Sequence, residues 1–561
     1  MESAIMTDWP KKINISAIHD RFSSPAWIIS EKQLIANVME YEKFTGKNNL
    51  IFFPVKTNPS ITILQILAKL GVGADCASQL EINLALFAGI KLENISYNAP
   101  IQDIRICRYL LISGGNVVMD DPDAIMELQE VLKGDEIKGK LFFRLNLPDS
   151  IGYANKNENQ ELMAHGHLPS KFGIPTEDLE GILNKITLPL SGLHIHVGTQ
   201  MDHMESFEHA MNSLNEIAEK LNIKGHGITD INLGGGLGIP FDENQKFPSL
   251  NHWCQRMTLL KKKQFQYSVE PGHALVGNVV ALLTCVQTVK KSRGKSWAIV
   301  NVGTDQLAKV TLLKWPHRII NENGSELPVG GDAIAGPLCF AGDTLKENIC
   351  ADQLKKGSLL LITEVGAYTY SLSNKFNGRT APKWLLLKSN GDLIQTMDQE
   401  TPCDEFQLSK HSWELEEKDF KDEMIALNIV DSLSSKYLTQ ACEKDHFEYL
   451  KVHRENQRKY QFSVTTSSPV DFISMPFAIR IMGDAAIVSL LHSKGFDQKK
   501  FAVWGKKLAL DCYNNIKSNE PLDIIITLSE TIRKKQNFET VVRFTTSCKQ
   551  CTGSLIISYS L

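Results

Sequence analysis

Short apolar runs alternate with amphipathic stretches between about residue 50 and residue 270. The amphipathic stretches, such as 60–70 and 206–221, place apolar residues at i, i+3, i+4 and i+7, which predicts helices. The runs between them are rich in β-branched and aromatic residues and predict strands. There are eight of these runs, at 50–55, 72–76, 94–98, 116–120, 140–146, 190–198, 228–234 and 266–272.

Strands that alternate with helices pair in parallel through crossover connections. Eight such units predict a (β/α)8 barrel of the TIM type over residues 27–274, with its reactive groups at the C-terminal ends of the strands. An open, doubly wound sheet produces the same alternation, so the pattern favours the barrel without excluding that alternative.

The pattern then changes to β-type segments separated by turns. This change predicts an all-β domain, a sandwich or barrel, over residues 275–396, and residues 1–26 are expected to join it. Residues 397–561 predict an additional α+β domain of unknown role. It would contain a charged helical stretch at 412–445, more helix within 477–518, and a hairpin at the end of the chain.

The charge balance narrows the classes of partner. The 561 residues include 60 Lys and Arg and 64 Asp and Glu, a net charge of −4. This balance argues against nucleic acid or a charged membrane and favours a small molecule. The sequence shows no signal peptide and no apolar run of membrane-spanning length, so we expect a cytoplasmic protein.

The eleven cysteines are scattered, which predicts free thiols in a cytosolic protein. Cys548 and Cys551 form a CxxC pair, but structural zinc needs four ligands and no second pair lies near them. No metal site is predicted.

Polar groups follow the ends of several predicted strands, and in a barrel these ends meet at one rim. The groups are Lys56, Asp75, Arg144, His196, Thr199, Gly234, Gly235, Gly236 and Glu270. Each alone has an ordinary explanation, since a lysine at a strand end is usually solvated and glycines make turns. Together they match pyridoxal phosphate, which requires an amine, an anion cradle, an acid for its ring nitrogen and a group against its ring.

Residues 22–390 resemble the fold-type III pyridoxal-phosphate decarboxylases, the family of diaminopimelate and ornithine decarboxylases. The resemblance covers both the barrel and the β domain, and its motifs occur in the family's order. They are FFPVKTNP (52–59), GADCAS (73–78), KFGIP (171–175), GLHIHVGTQ (192–200), INLGGGLGIPF (231–241), VEPG (269–272), GPLCFAGD (336–343) and EVGAYTYS (364–371).

The resemblance implies a role for each residue of the rim. Lys56 would form the Schiff base, His196 would stack on the pyridine ring, and Glu270 would contact its nitrogen. Asp75 and Arg144 would lie beside the ring. The phosphate would be held by Thr199, Gly234, Gly235, Gly236 and Tyr368. Cys339 matches the cysteine that enters a neighbouring subunit's site and protonates the product, so the resemblance implies a homodimer with shared active sites.

The chain departs from the family where the substrate's far end would bind. The arginine after the EPG motif is replaced by His273, and the acid after the GPLC cysteine by Phe340. Lys309 stands near another arginine position, and Asp343, in the same motif as Phe340, completes the tentative substrate site. Because an unpaired buried charge costs several kcal/mol, meso-diaminopimelate and free ornithine are not expected as substrates.

The predicted activity is decarboxylation of another amino acid, or of an amino-acyl group attached to a carrier or conjugate, in specialised metabolism such as siderophore or antibiotic assembly. The C-terminal domain would be catalytic, docking or structural. One alternative is an amino-acid racemase or epimerase, because the same fold serves alanine racemases. The other is a catalytically inactive relative that acts as a binding protein, although retention of the residues assigned to the cofactor argues against it.

Overall fold

The computed structural model describes most of the chain in two compact units, Met1–Glu405 and Phe406–Leu561. The described residues are 3–4, 6–148, 170–399, 423–424, 426–433, 446–456, 458–467, 473, 475–496, 503–512, 521–534, 537–546 and 551–559.

Eight parallel strands of the first unit form a closed barrel, each paired with the next along the chain. The bridge between Ile51 and Val269, with the Phe52 amide donating to the Val269 carbonyl at 2.8 Å, joins the last strand to the first. The strands are Phe52–Pro54, Gly73–Cys76, Ile95–Asn98, Asn116–Met119, Lys140–Asn146, Gly192–His194, Asp230–Asn232 and Gln266–Ser268. Closure confirms the predicted barrel over the open sheet.

Several barrel helices begin at polar caps that follow the strands. Ser78 accepts a hydrogen bond from the Glu81 amide at 3.2 Å and so caps the helix after the second barrel strand. Asp121 caps another helix, which starts with Pro122. The helices are Glu31–Thr45, Ile61–Lys69, Gln79–Ala88, Ile104–Ser113, Pro122–Val131, Leu179–Leu183, Glu205–Ile223 and Leu250–Leu259.

A nine-stranded sheet system forms the β domain of the first unit. The strand Ala26–Ser30 lies in it, antiparallel to Val280–Ser292 and parallel to Lys383–Leu387, so the chain passes into the barrel at Glu31. The rings of Trp27 and Trp384 stack at 5.4 Å across this pairing. The other strands are Lys295–Val300, Ile319–Asn321, Val329–Ala335, Thr344–Ile349, Leu359–Ile362 and Leu393–Met397.

The second unit is an α+β domain with its own apolar core. The seven strands within its described residues form one antiparallel sheet, in the spatial order Glu423–Met424, His446–Arg454, Lys459–Ser467, Leu522–Lys534, Asn537–Thr546, Cys551–Tyr559 and Val503–Cys512. The helix Met475–Ser493 buries Ile481, Ala485 and Val488 in this core.

The predictions for this unit are partly met. The last two strands in sequence pair antiparallel, which confirms the C-terminal hairpin. Within 477–518 the helix ends at Ser493 and Val503–Cys512 is a strand, because it pairs with Cys551–Tyr559. Of the stretch 412–445, the helix Leu427–Leu433 is described, whereas most of it, like Cys548, lies outside the described residues.

A bilayer-spanning helix requires about twenty apolar residues in sequence. The described part of the chain contains none of the necessary length and hydropathy.

Candidate active site

Lys56 lies at the C-terminal rim of the barrel, against a buried acid. The first barrel strand ends at Pro54 and continues as the short turn Val55–Thr57, which carries Lys56. Asp75 lies on the next strand, where it pairs in register with Pro54. The Lys56 Nζ atom is 3.0 Å from Asp75 Oδ2, and the lysine side chain is 47% exposed whereas the aspartate is 1% exposed. The amine is therefore accessible while its counter-ion is not.

The pKa values of Lys56 and Asp75 are both raised above their ordinary values. Desolvation, and then the charge of Glu270, raises the pKa of Asp75 to about 7, although Lys56 opposes the shift. Desolvation acts to lower the pKa of Lys56, but attraction from Asp75, with smaller effects of Tyr368 and Glu270, leaves that pKa above its ordinary value. Lys56 therefore holds a proton that a reacting amine would have to release.

Glu270 is a second buried acid at the same rim, and two partners keep it ionised. The Asn232 side-chain amide donates to Glu270 Oε1 at 2.8 Å, and His194 Nε2 lies 3.1 Å from Oε2. Burial alone would raise the pKa of Glu270, but His194 and Lys56, together with the hydrogen bond from Asn232, lower it below its ordinary value.

Sequence reasoning missed His194 and Asn232. Each stands two residues before a predicted site residue, His196 and Gly234 respectively. Because side chains on a strand alternate between faces, this spacing places them on the same face as those residues. That alternation was the available signal.

The glycine run after the seventh barrel strand makes a narrow backbone cradle. Gly234 and Gly236 have φ angles of +59° and +124°, in a region that residues with a side chain rarely adopt. A Cβ atom at Gly235 would lie 2.2 Å from the Glu270 carbonyl oxygen, so a side chain does not fit there. The Gly235 amide donates to His196 Nδ1 at 3.1 Å, which joins the cradle to the predicted stacking residue.

Tyr368 reaches the rim from the β domain. Its amide donates to the Thr57 carbonyl at 2.8 Å, one residue from Lys56. Its hydroxyl would lie 3.1 Å from a Cβ atom added at Gly272. The loop after the strand Gly192–His194 carries Thr199, which is partly buried.

Arg144 is buried on a barrel strand, and its guanidinium carbon lies 4.5 Å from the centre of the Phe172 ring. Desolvation lowers the pKa of Arg144, while attraction to Asp120, Glu270 and Asp75 opposes this shift. The arginine thus faces both acids of the rim.

An accessible amine, two buried acids, an imidazole and a glycine cradle at one rim fit the donor set of pyridoxal phosphate. Residues 31–277 match the family model described as "Pyridoxal-dependent decarboxylase, pyridoxal binding domain". These residues form the pyridoxal-binding domain of a fold-type III pyridoxal-phosphate-dependent decarboxylase.

The similarity to known proteins extends over about two thirds of this decarboxylase. The diaminopimelate decarboxylase of Methanocaldococcus jannaschii is 27% identical over 400 residues, which are 66% of this chain and 88% of that protein. The enzyme of the same name from Zymomonas mobilis is 29% identical, over 67% and 91%. The crystal structure of diaminopimelate decarboxylase from Helicobacter pylori complexed with L-lysine shares the fold, with a TM-score of 0.64, 23% identity and coverage of 71% and 99%.

Two of the tentative substrate residues are buried in an aromatic cluster of this decarboxylase. Lys309 is 0% exposed and its amine donates to the Ala367 carbonyl at 2.8 Å. His273 is 3% exposed, and its ring lies 4.9 Å from that of Tyr368. Burial, with Lys309 nearby, holds the pKa of His273 well below its ordinary value, so this histidine is neutral. Neither side chain presents a charge to the open rim.

Asp343 does not lie free for a substrate either. Its Oδ1 accepts hydrogen bonds from the Thr304 amide at 2.7 Å and the Thr304 hydroxyl at 3.0 Å, and its Oδ2 accepts one from the Leu338 amide at 2.8 Å. The sequence assigned Asp343 to the substrate because of its motif, but the structure uses it to hold the loop that carries Cys339.

We expect Asp343→Ala to lower the free energy of unfolding by about 3 kcal/mol, because three donors, two of them buried, would lose their charged acceptor. Chemical denaturation of the full chain measures this change. Asp352→Ala, an exposed residue of the same domain, is the control and should change it by less than about 0.5 kcal/mol. Equal effects of the two substitutions would contradict the role given to Asp343.

Cys339 and Phe340 are exposed on the surface of the single chain. The Cys339 amide donates to the Asn377 side chain at 2.8 Å, which fixes the loop against the turn Phe376–Gly378. The Cys339 thiol is therefore available to another molecule.

Proposed function

We propose that the rim around Lys56 binds pyridoxal phosphate and uses it to remove the α-carboxylate of an amino acid. The observation that carries the proposal is the accessible Lys56 amine, 3.0 Å from buried Asp75, on the rim that also holds Glu270. Lys56 would bind the cofactor's aldehyde, and the other predicted residues would hold its ring and phosphate. These are Asp75, Arg144, His196, Thr199, Gly234, Gly235, Gly236, Glu270 and Tyr368.

Bound there, pyridoxal phosphate supplies an electron sink for the pair left when carbon dioxide departs. The chain's own residues manage the protons. Asp75 Oδ2 lies 3.0 Å from the Lys56 Nζ atom, so this carboxylate is placed to receive the proton that the Lys56 ammonium must lose before its amine can react. Glu270, kept ionised by His194 and Asn232, can hold a proton at the ring nitrogen.

Product protonation is assigned to Cys339 of the partner subunit or to Lys56. The assignment to Cys339 requires a homodimer in which the loop bearing Cys339 enters the partner's site. Exposed apolar side chains near that loop, Phe340 at 48% and Phe376 at 50%, support burial against a second copy.

The substrate we propose is an amino acid, or an amino-acyl group on a larger molecule, whose far end carries no charge that needs pairing. His273 is neutral, the Lys309 amine is bonded to a backbone carbonyl, and Phe340 is apolar. The similar proteins are named for diaminopimelate, but these positions of the present chain offer no partner to a distal carboxylate or ammonium group. The lack of such partners at these positions, together with the presence of the second unit, favours a biosynthetic role in specialised metabolism.

A screen of amino acids and amino-acyl conjugates for loss of carbon dioxide, followed by mass spectrometry, tests this proposal. We expect an accepted substrate to reach a kcat/KM of about 10⁴ M⁻¹s⁻¹. meso-Diaminopimelate and L-ornithine should be at least about 10²-fold poorer, because each would bury an unpaired charge. A preference for meso-diaminopimelate would overturn the substrate proposal while leaving the decarboxylase intact.

Two further comparisons separate the alternatives. Exchange of the α-proton with solvent without release of carbon dioxide would indicate a racemase or epimerase, and neither reaction would indicate an inactive binding protein. A chain that ends at Glu405 tests the second unit, which we propose to be a docking module. If docking is its task, the shorter chain should retain turnover of free amino acids and lose that of conjugates.

A further inference from the structure

Lys309 is a buried lysine among aromatic rings, on the short β-domain helix Ala308–Leu312. Its Nζ atom lies 4.8 Å from the centre of the Phe241 ring and 5.7 Å from that of Trp315. The same atom donates to the carbonyl oxygen of Ala367, which directly precedes Tyr368. A lysine in such surroundings is costly to bury, so its bond to Ala367 needs an explanation.

The backbone around Tyr368 is constrained. Tyr368 has a φ angle of +52°, in the left-handed region that a residue with a side chain rarely adopts. The barrel holds the turn at its start, where the Gly366 amide donates to the Gly277 carbonyl at 2.9 Å and the Asn58 side chain donates to the Gly366 carbonyl at 2.8 Å. Between Gly366 and Tyr368, the Lys309 amine of the β domain donates a hydrogen bond to the carbonyl oxygen of Ala367.

We propose that Lys309 is a positioning residue that fixes the Ala367–Tyr368 turn, so that the Tyr368 hydroxyl is aimed at the cofactor's phosphate. This inference rests on the proposed function, which assigns the phosphate contact to Tyr368. It replaces the role that the sequence suggested for Lys309, contact with the substrate.

The electrostatic surroundings agree with a positioning role. Burial lowers the pKa of Lys309 to about 7, although Glu364 opposes the shift. His273 and His317 face the same cluster, and burial holds the pKa of each well below its ordinary value. The amine therefore loses part of its charge near neutral pH, which suits a donor to a backbone carbonyl better than an ion-pair partner for a substrate.

The contacts of the rings extend the link to Tyr368. The His273 ring lies 5.4 Å from the Trp315 ring and 4.9 Å from the Tyr368 ring. The rings of Phe241 and Trp315 in turn contact the Lys309 amine. Thus the Lys309 amine fixes the backbone before Tyr368, and the His273 ring packs against the Tyr368 side chain. A displacement of the amine would therefore be transmitted to Tyr368.

The test compares apoenzyme titrated with pyridoxal phosphate and with pyridoxal, which lacks the phosphate. Lys309→Met keeps the length and apolar stem of the side chain and removes the donor. We expect it to reduce the preference for pyridoxal phosphate over pyridoxal by roughly five- to tenfold, the effect of one misplaced hydrogen bond. Thermal unfolding of the apoenzyme checks that the variant is folded.

Tyr368→Phe supplies the internal comparison. Alone it should reduce the same preference by roughly tenfold or more, because the lost bond is to a charged group. Adding Lys309→Met to it should then change the preference by less than about twofold, since the lysine acts through the tyrosine. Lys346→Met is the matched control: its amine also donates to a backbone carbonyl, that of His317 at 3.4 Å, and its loss should leave the preference unchanged.

Each result has a distinct meaning. The inference is overturned if Lys309→Met weakens both ligands equally or neither, or if its effect persists in full when Tyr368 is already phenylalanine. If Tyr368→Phe itself leaves the preference unchanged, the phosphate contact assigned to Tyr368 is wrong, and the inference fails with it. Covalent attachment at Lys56 would be unaffected by that outcome.

Discussion

Lys56→Met is expected to lower kcat/KM for decarboxylation by a factor of about 10³ or more, measured as release of carbon dioxide. Methionine has a similar length but no amine to bind the cofactor's aldehyde. The substitution also leaves Asp75, 1% exposed, without its counter-ion, so the pKa of that acid should rise further.

Lys140→Met is the matched control for this variant. Lys140 is 43% exposed and lies 2.6 Å from Asp230, which is 7% exposed, so it forms the same kind of ion pair. It stands at the start of a barrel strand, at the end opposite the rim. We expect it to keep kcat/KM within about threefold of the unmodified enzyme. A similar loss in both variants would mean that an ion pair, and not an amine, is what Lys56 contributes.

Mixing the inactive Lys56→Met chain with a Cys339→Ala chain tests the shared site. If Cys339 of the partner subunit completes each site, random pairing of equal amounts should restore roughly a quarter of the intact sites, all in mixed dimers. No recovery after subunit exchange, shown to have occurred with labelled chains, would mean that Cys339 does not complete the site of its partner.

Glu270→Gln is expected to have the second largest effect, a fall in kcat of about 10²- to 10⁴-fold with little change in KM. A neutral amide cannot keep a proton at the ring nitrogen, and Asn232 and His194 would lose the carboxylate that they contact. Cofactor attachment should survive, because Lys56 is intact. Steady-state kinetics with the accepted substrate separates the two constants.

Asp230→Asn provides the comparison for Glu270→Gln. It makes the same acid-to-amide change on a neighbouring barrel strand, and Asp230 is also buried, but its partner Lys140 marks the opposite end of the barrel. We expect kcat within about threefold of the unmodified enzyme. An equal fall in kcat, or an unchanged kcat in Glu270→Gln, would remove Glu270 from the chemistry.

The barrel and the positions of Lys56, Asp75 and Glu270 follow from the sequence for one physical reason. Parallel strands joined by crossover helices bring the residues after each strand to the same rim, so counting strands also places the side chains. For the two hydrogen-bonding partners of Glu270, the only signal in the sequence is the alternation of side chains along two strands. The hydrogen bonds of His194 and Asn232 to one acid become visible when those strands lie side by side.

Other features depended on contacts that local pattern does not encode. Asp343 stands in a motif rich in active-site residues, yet its partner Thr304 lies 39 residues earlier and uses its carboxylate. The sequence places Lys309 near an arginine position in the tentative substrate site, but in the structure the rings of Phe241 and Trp315 lie against its amine. The helix predicted within 477–518 is present up to Ser493, whereas the strand Val503–Cys512 depends on pairing with the end of the chain, which local pattern does not encode.

The most direct measurement for the account as a whole is the location of the cofactor on the chain. Borohydride fixes a pyridoxal group bound to a lysine amine, and digestion followed by tandem mass spectrometry identifies the lysine. We expect one labelled peptide, with the pyridoxyl group on Lys56. A fully active enzyme whose label lies on another lysine, or which carries no label, would contradict the assignment of Lys56 and the site built around it.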